Sequence, residues 1–196
     1  MKKRVVIFAL ALVLVFGCAV GGTLAWLTAS TTPVVNTFTF GQITLTLKEN
    51  TGNTYKMVPG TEMEKDPVIT VGKDSEACWI YVKVEKTGGN VTVGEKTYSF
   101  DHFLTVTMAE GWTELTNAPG VYWKQQATIP TADVEFHVLA NDKIATKNTV
   151  TKEMLGAITD ATTPKLTFTA YAVQLGAGAS AEDAWKATFG SNSQGG

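Results

Sequence analysis

His102, in the run SFDHFL, and His137, in EFHVLA, are the only imidazoles in this chain of 196 residues. A zinc hydrolase of the helical type needs two histidines four apart on one helix, with a glutamate beside the first. Neither histidine has that neighbour, and His137 stands in an alternating, strand-like run. Two strand histidines meeting across a sheet would be the other route to a metal, and satisfied strand imidazoles are the plainer reading. Asp66, Asp74, Asp101, Asp133, Asp142 and Asp160 lie close to turn residues, where a short carboxylate bonds its own backbone. The stretch NDK (141–143) reads as a turn rather than a calcium loop. No serine sits in a nucleophile elbow, and no glycine-rich loop follows a strand to cradle phosphate. The expectation is a protein without catalytic residues, metal or cofactor.

The cysteines are Cys18 and Cys78. Cys18 lies inside an apolar N-terminal segment, so the two do not form a disulfide framework, and Cys78 reads as a small buried residue in a strand. That segment begins Met1-Lys2-Lys3-Arg4 and then runs without a charge from Val5 to Leu27. A basic start, an apolar stretch and a small-residue cleavage site describe a secretory signal peptide. Thr23 and Ala25 take the −3 and −1 positions if the cut precedes Trp26. Two alternatives stay open. The uncharged run is long enough to be retained as a membrane anchor, and VFGC (15–18) loosely resembles a lipobox in which Cys18 is lipidated, although Phe16 is bulky for one.

Removal of residues 1–25 leaves 171 of the 196, one domain by size. The processed chain holds 13 lysines against 18 acidic residues, a net charge of −5, and no arginine, since Arg4 is the only one. Arginine is the usual reader of phosphates and base edges, so nucleic acid is excluded as an expected partner. The acidic surface offers no polybasic membrane patch.

The elements that would position any site are strands. QITLTL (42–47) aligns Ile43, Leu45 and Leu47. CWIYVKV (78–84) aligns Cys78, Ile80, Val82 and Val84. FLTVTM (103–108), VEFHVLA (134–140) and KLTFTAYAVQ (165–174) alternate likewise, and PVITV (67–71) and GVYWKQQATI (120–129) are further strands. Period-two alternation in β-branched and aromatic sequence predicts half-buried strands. Trp79 and Tyr81 face away from Cys78 and Ile80, which fits a central strand buried on both faces or one wall of an exposed groove. Turn signals at Asn50-Thr51-Gly52-Asn53, Pro59-Gly60, Gly88-Gly89-Asn90, Asn117–Gly120 and Asn141-Asp142 separate the runs. One or two short helices are predicted: TVTKEMLGAI (149–158), capped by Thr151, and SAEDAWKATF (180–189), opened by a Ser180–Asp183 capping box. The fold class is all-β, a jelly-roll-like antiparallel sandwich over 41–189, with 190–196 as a flexible tail.

The segment GGTLAWLTAS (21–30) followed by NTFTFGQITLTLKEN (36–50) resembles the start of the TasA/camelysin family, secreted proteins of Gram-positive bacteria cut by a SipW-type signal peptidase. MVPGTEMEKDPVITVGKDSEACWIYVKVE (57–85) and LTFTAYAVQ with AEDAW (166–174, 181–185) are similar to later family segments, while 86–160 is weakly covered. The resemblance implies a jelly-roll-like subunit of an extracellular fibre or biofilm matrix, at the cell surface or in the matrix. The implied partners are further copies of the chain as a homo-polymer, the SipW-type peptidase during export, and other matrix proteins. It also implies that the freed segment 26–40 adds as a strand to a neighbouring subunit. Trp26, Leu27, Val34, Val35, Phe38 and Phe40 would anchor that strand, with Pro33 interrupting its ladder. A monomeric envelope adhesin, binding through its loops, is the alternative. Camelysin-like members have been called metalloproteases, an activity the absent zinc motif leaves without residues.

The processed protein is expected to begin at Trp26. N-terminal sequencing of secreted material checks this, and an intact Met1 or a lipidated Cys18 would contradict it.

Overall fold

A computed structural model describes residues 42–51 and 55–190, which belong to one compact unit. The expected signal-peptidase residues Thr23, Ala25 and Trp26, the expected assembly residues Leu27, Val34, Val35, Phe38 and Phe40, and Cys18 lie outside the described residues. So does the tail from 191.

The described chain is an all-β antiparallel sandwich. Its strands are β1 (Leu45–Lys48), β2 (Glu62–Glu64), β3 (Val68–Val71), β4 (Cys78–Thr87), β5 (Val91–Val93), β6 (Lys96–Tyr98), β7 (Leu104–Thr105), β8 (Thr113–Glu114), β9 (Val121–Gln126), β10 (Val134–His137), β11 (Lys143–Thr146) and β12 (Lys165–Gln174). Three short helices accompany them, α1 (Phe100–Phe103), α2 (Lys152–Gly156) and α3 (Ala181–Phe189).

One layer holds the orders β1-β3-β10 and β2-β11-β7. These are two halves of a single bent ladder. Residues 62–71 run antiparallel to 134–146, with Met63 opposite Ile144 and Ile69 opposite Phe136. Between the halves the Lys65 amide donates to the Asp142 carbonyl, and the Val138 amide to the Pro67 carbonyl. The bend falls where Pro67 removes a donor and where Asn141 and Asp142, both at φ 54°, turn left-handed. The second layer is β12-β4-β9-β8. Its longest pairing sets β12 against β4 over ten residues, from Lys165 opposite Thr87 to Gln174 opposite Cys78.

β4 is buried on both faces. Cys78, Ile80 and Val82 point into the space between the layers, where they meet Ile69, Val71, Val138 and Leu139. Tyr81 points the other way and is equally inaccessible, covered by α3. Of the two readings of Trp79 and Tyr81, the structure shows the central strand. The Tyr81 hydroxyl donates to the Ala181 carbonyl at 2.9 Å, fixing the first turn of α3. The Trp185 ring lies 5.1 Å from Tyr81, 5.4 Å from Tyr171 and 4.6 Å from Phe189. The Ser180 hydroxyl accepts from the Asp183 amide, so α3 starts where its sequence says it should.

A third cluster, with Val91, Phe100, Phe103, Leu104, Val150 and Met154 at its centre, lies under α1, α2 and the β5–β6 hairpin. It accounts for two corrections. Three helices stand where one or two were expected, because SFDHF closes as a turn that buries both Phe100 and Phe103. The strand expected over 103–108 therefore shrinks to Leu104–Thr105, with Met108 returning only as a single bridge to Leu139. Thr151 caps α2 as expected, accepting from the Met154 amide. Gly88 and Gly89 follow β4 at φ +73° and +74°, and a side chain at Gly88 would stand 2.1 Å from the Thr163 carbonyl oxygen.

Tyr81→Phe removes one buried hydrogen bond while keeping the ring. It is expected to cost about 1 kcal/mol and to lower the thermal midpoint by about 2–4 °C. Calorimetry on both proteins checks this, and an unchanged midpoint would mean the hydroxyl does not hold α3.

Candidate assembly surface

β1 and β12 close the two layers on the same side of the sandwich, and among the described residues neither has a partner on its outer edge. The β12 edge is ten residues long, KLTFTAYAVQ, with no proline or glycine and a single charge at its first residue. Such an edge presents a row of backbone donors and acceptors, which proteins ordinarily guard with charge, proline or a bulge. Its side chains are already committed. Leu166, Phe168, Ala170 and Ala172 pack between the layers, and Tyr171 and Val173 pack beneath α3.

At the start of β12 the layers part. A cleft of about 350 Å³ lies there, walled by Met57, Met63, Leu104, Ile144 and Leu166, with Lys65 and Tyr55 on its polar side. A second hollow of about 260 Å³ shares Leu166 and lies between Leu47–Glu49 of the first layer and Thr167–Phe168 of the second. Together they form a seam beside the free edges, largely apolar at the cleft and mixed at the second hollow, whose walls include Lys48, Glu49 and Thr167.

The seam is framed by polar ties between the loop after β1 and the residues before β3. The Lys65 side chain is only 7% exposed, and its ammonium pairs with Glu49. It also stands 5.2 Å from the centre of the Tyr55 ring and 5.6 Å from that of Phe168. The Tyr55 hydroxyl donates to the same Glu49 oxygen at 2.8 Å. The neighbouring Asp66 carboxylate accepts from the Asn50 and Thr51 amides, each at 3.0 Å. Desolvation pulls the Asp66 carboxyl upward, but hydrogen bonds from the Thr51 hydroxyl and these amides outweigh it and hold the group below its ordinary value.

The residues weighed for chemistry fall elsewhere and are not brought together. Cys78 is fully buried in β4, and burial pushes its thiol up to about 11, so it is an inert apolar filler. His137, on the exposed side of β10, bonds Asp142 at 2.9 Å across the bend. His102 lies on α1 and bonds Ser99. Among the described residues no three His, Cys, Asp or Glu side chains group closely enough to hold a metal ion. Among them, too, no helix is long and apolar enough to cross a membrane.

Lys65, Glu49 and the cleft walls carried no signal in the sequence. Lys65 stands in the charged run EMEKDP, which reads as solvated, and Met57 and Met63 are isolated from any periodic pattern. Comparison with protein-family models, with curated proteins and with solved structures gave no match to this chain.

Glu49→Gln strands the Lys65 ammonium without its counter-charge. Removing one partner of a fully buried pair costs about 3–5 kcal/mol, and the partial exposure of Glu49 reduces this to about 2 kcal/mol. The double variant Glu49→Leu/Lys65→Met is expected to recover most of the loss. Urea unfolding of the three proteins checks both outcomes.

Proposed function

We propose that this protein is a secreted structural subunit of an extracellular fibre or biofilm matrix, in which residues 26–40 of one copy add as a strand at the seam of the next. The reading combines the resemblance of the N-terminal motifs to the TasA/camelysin family with one feature of the fold, the polarity of the seam. Gln42, where the described chain begins, accepts a hydrogen bond from the Glu76 amide, and the Leu175 amide donates to Ala77 close by. The described chain therefore begins at the pole at which β12 ends. The cleft lies at the other pole, where β12 begins. Eight residues of strand, roughly 26 Å at about 3.3 Å each, separate the two. A 15-residue extended segment spans about 50 Å.

Copies stacked head to tail would bring the departing segment of one to the cleft of the next. A heterologous contact of this kind does not close on itself and propagates as an open filament. At the β12 edge direction favours a neighbour, whereas at the β1 edge, which runs the opposite way, it favours the segment's own subunit. A segment arriving from a stacked copy would run antiparallel to β12, matching its sheet. A segment folding back in its own subunit would run parallel to β12, the less stable pairing per residue. Strand addition satisfies the free backbone groups of the edge, and apolar residues such as Val34, Val35, Phe38 and Phe40 suit the seam.

Deletion of residues 26–40 is expected to abolish filaments and leave a soluble β-domain. Electron microscopy and circular dichroism on the same sample check this. Unchanged filaments would overturn the strand-addition reading. Loss of β-signal would show that the segment completes its own sandwich.

A further inference from the structure

We infer that the two poles of the domain form an interface between copies, the turn at Ile129 of one docking against the turn at Val58 of the next. Among the described residues these are the large apolar side chains left in water, Ile129 55% and Val58 44% exposed. Single exposures of this kind are ordinary; their placement is not. Ile129 follows β9 at the pole where β4 begins and β12 ends, since Gln126 stands opposite Cys78 and Cys78 opposite Gln174. Val58 lies before β2 at the pole where β12 begins, next to Met57 of the cleft wall. Each precedes a proline, Pro130 or Pro59, whose ring restricts the backbone on both sides. Both turns are also pinned. The Asp74 amide donates to the Pro130 carbonyl at 2.9 Å, and the Gly60 amide to the Thr146 carbonyl at 3.1 Å.

The charges around the two turns are opposite in sign. The loop tied to Ile129 carries Asp74 and Glu76 against Lys73, and Asp133 accepts from the Lys73 amide at 2.8 Å. Around Val58 stand Lys56, two residues earlier, and Lys147 and Lys152, which flank the Asn148 side chain beside Gly60. All three lysines are exposed, and among the described residues none of them is ion-paired. The acid among them, Glu153, is held at the start of α2 by Thr151. Like poles therefore repel and unlike poles attract. The contact is heterologous, so each pair of copies keeps one free pole of each kind. A small apolar centre with a charged rim supplies direction and encounter rate more than affinity. Its repetition along a fibre rests on the proposed function, whereas the pairing of unlike poles is a property of any two copies.

Disulfide trapping in the processed chain tests this. An unlabelled Val58→Cys variant and a ¹⁵N-labelled Ile129→Cys variant are mixed in equal amounts and oxidised, and mass spectrometry separates the three dimers. Cys78 is fully buried and does not compete. Chance encounter makes the unlike dimer equal to the two like dimers together. Docked poles are expected to raise the unlike dimer about tenfold above that level at low salt. The excess should shrink several-fold in about 1 M salt, where charges are screened beyond roughly 3 Å. A chance ratio, no dimer, or an excess indifferent to salt would overturn the inference. Filaments that form with a chance ratio would leave strand addition standing without this contact. An unlike excess without filaments would keep the contact and remove the fibre.

Discussion

The rest of the structure depends on the burial of β4 on both faces. A strand that presents Cys78, Ile80 and Val82 to one side and Tyr81 to the other must be covered twice. The bent ladder of β1–β3 and β10–β11 covers one face and α3 covers the other. Each cover brings its own fastening. The inner face is closed by aliphatic side chains interdigitating between layers. The outer face is closed by an aromatic group in which Trp185 touches both Tyr81 and Tyr171. Apolar area removed from water is the main favourable term, and here it is concentrated around a single strand.

That concentration leaves the sheet margins asymmetric. On the β8 side the second layer ends in a two-residue strand, which offers little ladder to a newcomer. On the β12 side it ends in ten residues without a breaker. Side chains from β12 secure it to both cores, so its backbone edge is rigid, long and unguarded among the described residues. Rigid, pre-ordered edges are good templates because the incoming strand alone bears the ordering cost. The Lys65–Glu49 pair and the Asp66 bonds tie the end of β1 to the start of β3 within the first layer, and the Lys65 ammonium also meets the Phe168 ring of β12.

Much of this was legible in the sequence where alternation was strong. KLTFTAYAVQ is β12 to the residue, and the Ser180 and Thr151 caps mark their helices correctly. Alternation failed where elements are short or where a turn intervenes. KIAT and EME are too brief to show a period, yet they pair as β11 and β2. FLTVTM alternates well, but Phe103 is taken by the third cluster from a helical turn, a tertiary preference that local pattern does not carry. The seam was legible only in part. Its strand, β12, could be read, but its place at a sheet edge could not, since that is a matter of topology; Lys65 looked like surface because its burial depends on a partner, Glu49, sixteen residues earlier in the chain.

The most direct measurement is isotope-mixed cross-linking. A variant carrying Val35→Cys and Thr167→Cys, prepared both ¹⁵N-labelled and unlabelled, is mixed before assembly and oxidised afterwards. Strand addition between copies predicts disulfide-linked peptides that join a labelled half to an unlabelled one, alongside like-labelled pairs. Linked peptides that carry only one label would place the segment in its own subunit, and the absence of any 35–167 link would remove it from the β12 edge altogether.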